Sequence, residues 1–430
     1  YVDTNGSTGQ TPCSPGTYNP STGSSSPSDC IDASPGYYVD LEGQGNQTPC
    51  QAGAYNPNSG SNTSTDCLLS DPGHYVAYAG SSSQTQCPLG EYQDGSGQSY
   101  CIDASPGNYV SELAATSQTP CALGNYQPYS GQSECIVADP GYFVDTNGST
   151  SQTPCSPGTY NPNSESIQSS DCLEASPGYH VSYSGSASQV PCTIGTYQPQ
   201  GGASSCINSS PGHYADASAA TSQHSCGLGE YQPSSAKSSC ISADIGHYVD
   251  STASNSQTEC LAGTYNPNEG SIQSSDCIDA TAGYFVPSPG SGNQNPCQSG
   301  TYQPASGTSS CTLASEGYYV NSTASTSQDP CPAGTYQPDT GQVSCIDASD
   351  GHFVAGTGQY DDTPCAIGTF QPDVGSKQCI DASPGFYVGT NGSVTQSPCQ
   401  AGNYQPVEAQ PSCIVVDAGY FVEGTRATER

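Results

Sequence analysis

Twenty-four cysteines carry the clearest chemistry in this chain, and their spacing says what it is. They fall into openers and closers: Cys13 and Cys30, Cys50 and Cys67, Cys87 and Cys101, Cys121 and Cys135, Cys155 and Cys172, Cys192 and Cys206. Then come Cys226 and Cys240, Cys260 and Cys277, Cys297 and Cys311, Cys331 and Cys345, Cys365 and Cys379, Cys399 and Cys413. Opener and closer are 14 or 17 positions apart, and each closer is 20 before the next opener. Thiols in so regular a pattern oxidise to disulfides, which implies an oxidising compartment and hence secretion. There is no Cys-x-x-Cys and the six histidines follow no ligand spacing, so the pattern does not suit zinc.

The positions where cysteine is missing indicate which cysteines pair. Ala33 and Gln47 lie fourteen apart, as do Ala104 and Gln118, and Ala382 and Gln396. Between successive cysteine pairs lies a second half-module of the same design, with Ala or Ser at its opening position (Val416 excepted) and Gln at its close (Asp362 excepted). Partners lost together were partners, because an orphan thiol is a reactive liability. The surviving cysteines are therefore expected to bridge the two ends of one half: Cys13–Cys30, Cys50–Cys67, Cys87–Cys101 and onward. Ala33 and Gln47 are expected side by side.

Around these positions the punctuation repeats. Glycine stands three after every opener and six after every closer, and Tyr or Phe stands five after every opener. Proline stands seven after the opener in eleven cysteine halves, with Asp94 in the other. Periods of 34 or 37 residues mark a modular array. The expected divisions are a partial repeat 1–12, then repeats 13–49, 50–86, 87–120, 121–154, 155–191, 192–225, 226–259, 260–296, 297–330, 331–364, 365–398, and 399–430 as the twelfth with a tail. Helical periodicity is absent, and segments such as GYYV and GFYV read as short strands bounded by turns. The fold class expected is small, disulfide-rich and mostly irregular or β: an elongated tandem array of about 12 repeats with two-stranded hairpins and almost no helix. The rings are expected to pack on glycine and proline, where missing Cβ atoms leave room.

Composition agrees. Of 430 residues 32% are hydrophobic, with 30 Tyr, 6 Phe and neither Met nor Trp, too little for a conventional core. Disulfides, at ~3 kcal/mol each for loops of this size, offset part of the chain entropy. Against 38 acids stand only Lys237, Lys377, Arg426 and Arg430, a net charge of −34. Such a surface repels nucleic acid and anionic lipid and keeps an extended secreted protein soluble. No stretch approaches a membrane span. Tyr1-Val2 matches Tyr38-Val39, mid-module, so the chain reads as a processed or partial segment of something longer.

Other candidate residues have plainer readings. His74, His180, His213, His247 and His352 occupy slots where other repeats carry Tyr, Phe or Asn, so they read as packing rings; His224 stands alone. No nucleophile elbow or phosphate loop occurs, and no enzyme is expected. Asp32, Asp103, Asp279, Asp347 and Asp381 follow a closer by two, and Asp71, Asp139, Asp244 and Asp417 by four. They read as turn seeds before glycine rather than as ligands of an intermodule Ca²⁺, for which the chain has no Asp-x-Asp-x-Asp-Gly run. The four 17-spaced halves read Tyr-Asn-Pro where the others have Gln, so Asn19, Asn56, Asn161 and Asn266 are expected to seed the wider turn, Gln being too long. N-glycosylation sequons occur at Asn5, Asn46, Asn62, Asn147, Asn208, Asn321 and Asn391.

The pattern C-x-x-G-x-Y…G-x-x-x-C followed by x-P-G, as in Cys365, Gly368, Phe370, Gly375 and Cys379, resembles the ephrin-receptor-like cysteine-rich repeats, relatives of the tumour-necrosis-factor-receptor modules. The resemblance runs the length of the chain. Family members keep Cys-x-x-Cys between halves, where this chain has Ala33, Ser70, Ala104 and their equivalents. The resemblance thus implies the modular fold rather than a receptor-type ligand site. Long arrays of this kind also look like protist and algal surface fibres, including the mastigonemes of flagella. The expectation is a non-enzymatic, extracellular, cell-surface glycoprotein that self-associates into a stalk or filament, without cofactor. The alternative is a receptor or adhesin ectodomain that binds a protein or carbohydrate.

Overall fold

Each half begins with one turn. In Ser14-Pro15-Gly16-Thr17 the Thr17 N–H donates to the Ser14 carbonyl at 3.0 Å, and Gly16 has φ +89°. That is a type II turn, with proline where φ is preset and glycine where it must be positive. The computed structural model describes residues 1–2 and 5–430, so part of the partial repeat 1–12 lies outside the described residues. The chain forms two compact units, Tyr1–Asn208 with Ala217–Ser222, and Ser209–Asp216 with Gln223–Arg430. Both are built from the same halves.

After the turn the chain runs straight for two residues and is met by the two residues after the closing position. Thr17–Tyr18 pairs with Ile31–Asp32 in antiparallel register, Tyr18 opposite Ile31. Tyr37–Tyr38 pairs with Thr48–Pro49 in the half that lacks cysteine. The described residues form 23 such two-stranded hairpins. No α-helix occurs among them, and no helix is long and apolar enough to cross a membrane. In the four wide halves the extra residues wind a single 3-10 turn: Pro27–Asp29, Ser64–Asp66, Ser169–Asp171 and Ser274–Asp276.

Strands of two residues cannot hold themselves. Within each unit, successive halves are tied by four backbone hydrogen bonds. Gly16 N–H donates to Val39 (2.8 Å), Ala33 to Gly16 (2.8 Å), Asn19 to Gln44 (3.1 Å) and Gly43 to Cys13 (2.8 Å). One half further on the same four recur as Gly36 to Asn56, Cys50 to Gly36, Val39 to Ser61 and Gly60 to Ala33. The structural period is therefore the half-module, half the sequence repeat. Its buried stripe has three positions per half: the opener (Cys50, Ala33), the glycine three after it (Gly53, Gly36), and the residue six after it, Val39 or Val76 in cysteine-free halves and Asn56 or Gln93 in cysteine halves.

The glycine three after the opener is filled differently from the expectation that a ring occupies the space. A Cβ on Gly36 would lie 2.0 Å from the Gly80 carbonyl oxygen, and one on Gly107 2.1 Å from that of Gly148. Backbone of the next-but-one half takes the space instead. Rings do rest on glycine, but on the one ten after the opener: a Cβ on Gly80 would meet the Tyr37 hydroxyl at 2.7 Å, and one on Gly185 that of Tyr142 at 2.6 Å. That second position also has positive φ, and all eight non-glycine residues in the left-handed region among the described residues, Ala114 and Glu165 included, occupy it. The two glycines differ in kind. One needs the conformation; the other needs the conformation and the empty space.

Gly107→Ala should therefore cost about 3 kcal/mol or more, through strain and backbone overlap together. Gly60→Ala should cost only ~1 kcal/mol, since the nearest atom to its Cβ is the Asp32 carboxyl carbon at 3.7 Å. Native-state hydrogen exchange checks both: the first variant should speed exchange locally by about a hundredfold or more, the second by less than tenfold. Equal effects would contradict the carbonyl contact.

Candidate functional site

The cysteines form twelve disulfides, Cys13–Cys30, Cys50–Cys67, Cys87–Cys101 and so on to Cys399–Cys413, with Cα–Cα separations of 5.6 to 5.9 Å. None of the cysteines is free. From Cys50 onward each opener is buried at 0–1% exposure, while the closers are half-buried.

Where cysteine is missing, a hydrogen bond stands in its place. The Gln47 Oε1 accepts from the Ser34 N–H at 2.7 Å, next to buried Ala33. Gln84, Gln118, Gln152, Gln189, Gln223, Gln257, Gln294, Gln328 and Gln396 do the same. Asp362, the exception at the close, still accepts from Ser349 at 2.8 Å. Asp71, Asp139 and Asp244 reinforce the link, each carboxylate accepting from the amide of its glutamine at 2.6 to 2.8 Å. In the equivalent slot Asp417 pairs with Arg430. These four acids do start the turn before glycine, as their spacing suggests. Asp32, Asp103, Asp279, Asp347 and Asp381 do not: they lie in the returning hairpin strands, outside any turn.

The Asn/Gln distinction also differs from expectation. Both side chains accept from the N–H two residues on: Asn58 to Asn56 and Gly95 to Gln93, each at 3.1 Å. Glutamine is thus not too long for the turn. The difference lies in the amide nitrogen. Gln93 spans the short loop to donate to the Tyr100 carbonyl, just before Cys101, at 2.9 Å. Asn56 donates instead to the Ser61 hydroxyl (2.8 Å) and to the Tyr37 carbonyl of the preceding half (3.1 Å). Three inserted residues put the carbonyl before the closer out of reach and leave the shorter amide to find nearer partners.

The wide loop has its own organiser, which sequence reasoning missed. Asp29, Asp66, Asp171 and Asp276 each stand just before the closing cysteine, and only the wide halves have Asp there. That correlation is the signal that could have found them. Each carboxylate accepts two N–H groups at the start of the 3-10 turn, Asp276 from Ile272 at 2.9 Å and Gln273 at 3.2 Å. Those bonds, led by that from Ile272, hold the Asp276 carboxyl below its ordinary range.

All seven sequon asparagines are exposed: Asn5, Asn46, Asn62, Asn147, Asn208, Asn321 and Asn391. Four histidines are locked to their own turns, His74, His213, His247 and His352 each placing Nδ1 3.0 to 3.4 Å from the carbonyl two residues back. His224 is not alone, because the hairpin sets it opposite Tyr214 (ring centroids 5.5 Å) and 3.8 Å from the Asp216 carboxylate. His180 differs from the rest: its Nδ1 lies 3.2 Å from Cys206 Sγ. His180, Cys192 and Cys206 form the one group of three or more metal-ligand side chains within reach of each other among the described residues, but the two sulfurs are bonded together. A disulfide offers no thiolate to a metal.

The family model described as tyrosine-protein kinase ephrin type A/B receptor-like matches residues 178–226. No curated protein matches the chain. The matched segment is an ephrin-receptor-like cysteine-rich module, and the same disulfide-stapled design recurs through the array. Disulfides in this number, with a module of receptor-ectodomain type, place the chain among extracellular modular proteins.

Two predictions follow from this geometry. Ala33→Cys with Gln47→Cys should close a further disulfide, seen as a loss of two hydrogens by intact mass, and should stabilise that half by ~3 kcal/mol; free thiols at both sites would refute the equivalence. Asp276 has a depressed folded pKa, so its support of the loop is complete above the unfolded-state pKa and disappears as pH falls through the folded one. The protection factor of the Ile272 amide, its exchange relative to the intrinsic rate at the same pH, should therefore fall in the parent as pH drops through the folded pKa of Asp276; in Asp276→Asn it should be low above that pH and meet the parent below it.

Proposed function

We propose that this chain is a non-enzymatic extracellular structural protein, a glycosylated array that builds a stalk or filament through repeated module contacts. The observation that carries the reading is one exposed aliphatic residue per repeat. The residue after the closing cysteine is Ile or Leu in eleven of twelve copies, with Thr312 in the other. Ile31, Leu68, Ile102, Ile136, Leu173 and Ile207 of one unit are 37–49% exposed, as are Ile241, Ile278, Ile346, Ile380 and Ile414 of the other. The hairpin ring opposite, as Tyr18 faces Ile31, covers part of each side chain, and a contact repeated at the module spacing would cover the apolar surface left in water. Exposed sequons at Asn5, Asn147 and Asn391, one slot used three times, agree with a glycan-bearing surface.

A second reading, a receptor or adhesin ectodomain, draws on Tyr78 and Tyr183. They sit in one slot of two different repeats at 79% and 80% exposure, where a ring is open to a protein or sugar ligand.

Replacing Ile102, Ile136 and Ile207 by Thr, the residue the array itself uses at 312, separates the two. Under the structural reading, sedimentation equilibrium shows self-association of the parent chain, weakened at least ~tenfold in the triple variant at about 1 kcal/mol per side chain. A parent chain monomeric at all concentrations, with binding lost in a Tyr78→Ser, Tyr183→Ser variant, favours the ectodomain reading.

A further inference from the structure

We propose that Cys192–Cys206 is a thiol-addition site, the one disulfide of the array at which a low-molecular-weight thiol becomes covalently attached, with His180 carrying the proton. The slot five after the opener of a cysteine-free half holds Tyr or Phe in every other copy, and His only at 180. Neither replacement ring takes up a proton in the physiological range; imidazole does. The fold places this one imidazole, on the hairpin Tyr179–His180 with Val190–Pro191, 3.2 Å from the sulfur of the following half's closing cysteine. The ligating atoms of His180, Cys192 and Cys206 all lie within 4.8 Å of one another.

Exposure decides the direction of attack. Cys192 is fully buried, while Cys206 and His180 are half-buried. An incoming thiol therefore reaches Cys206 Sγ. His180 takes the thiol proton, and the thiolate forms a new sulfur–sulfur bond to Cys206 as the Cys192–Cys206 bond breaks. Cys192 leaves as thiolate and receives the proton back from the imidazolium. One thiol and one disulfide are consumed, and one mixed disulfide and one thiol are produced, with no external oxidant or reductant. The thiolate is the reactive form, so a base beside the attacked sulfur raises the rate where thiol is scarce.

The eleven other disulfides are internal controls. The folded chain is exposed to limiting glutathione, quenched with iodoacetamide and mapped by peptide mass spectrometry. Expected are glutathione on Cys206 and alkylation on Cys192, at a rate about tenfold or more above any other pair. His180→Tyr, which restores the residue of the neighbouring copies, should return this rate to the range of the rest while the other eleven keep theirs. A Cys192–Cys206 rate within the spread of the others in the parent chain overturns the proposal without recourse to any variant. So does a lead that survives His180→Tyr, or glutathione carried on Cys192.

Discussion

A carbonyl oxygen seated where a Cβ would otherwise be is the contact on which this structure depends. At Gly36, Gly53, Gly107 and their equivalents from Gly16 to Gly385, backbone of one half lies against backbone of the half two places along, at 2.0 to 2.6 Å from the ideal Cβ position. No residue with a side chain fits there, whatever its chemistry. The approach lets four backbone hydrogen bonds form between successive halves, satisfying polar groups that a chain with so little apolar material cannot shield in a core. Repetition then follows from the backbone itself, because the bonds are made by atoms every residue has.

On that frame, the disulfide is one of two ways to close a half. Cys13 and Cys30 close it covalently; Ala33 and Gln47 close it with an amide oxygen on the Ser34 N–H. The small opener stays buried in both, so the stacking is unchanged. Alternation has a physical sense: a covalent link in every second half limits how far local opening can spread, since each cysteine-free half lies between two stapled ones. The buried amides serve the same end. Gln93 and Asn56 occupy the stripe position that Val39 and Val76 hold elsewhere, and each meets its hydrogen bonds within its own loop or the adjoining strand. A polar side chain is tolerated there because its partners are complete.

Much of this was legible in the chain. Ser-Pro-Gly or Asp-Pro-Gly three residues into a half specifies a type II turn, and the erased positions at Ala33 and Gln47 pointed to the ends of one half as neighbours. The wide loop announces itself through Asn56 and, more fully, through Asp66, whose link to loop length needed only comparison between copies. The error over glutamine arose from judging side-chain length against one acceptor. The side chain makes the same turn as asparagine and uses its extra methylene for a second partner, Tyr100. Asp32 misled because it too lies between a closing cysteine and the next glycine, although it stands four before Gly36 in a hairpin strand where Asp71 stands two before Gly73 in the turn.

The sequence by itself determined what lies within reach of one half: turn type, hairpin register, loop width and the closing pair, all governed by residues no more than about twenty positions apart and by local dihedral preference. The tertiary structure alone decided what meets across halves. That Gly36 faces the Gly80 carbonyl, that Tyr37 rests on Gly80 and that His180 reaches Cys206 all follow from how one half stacks on another. Backbone hydrogen bonds set that stacking, and they carry no side-chain signature for a sequence to display.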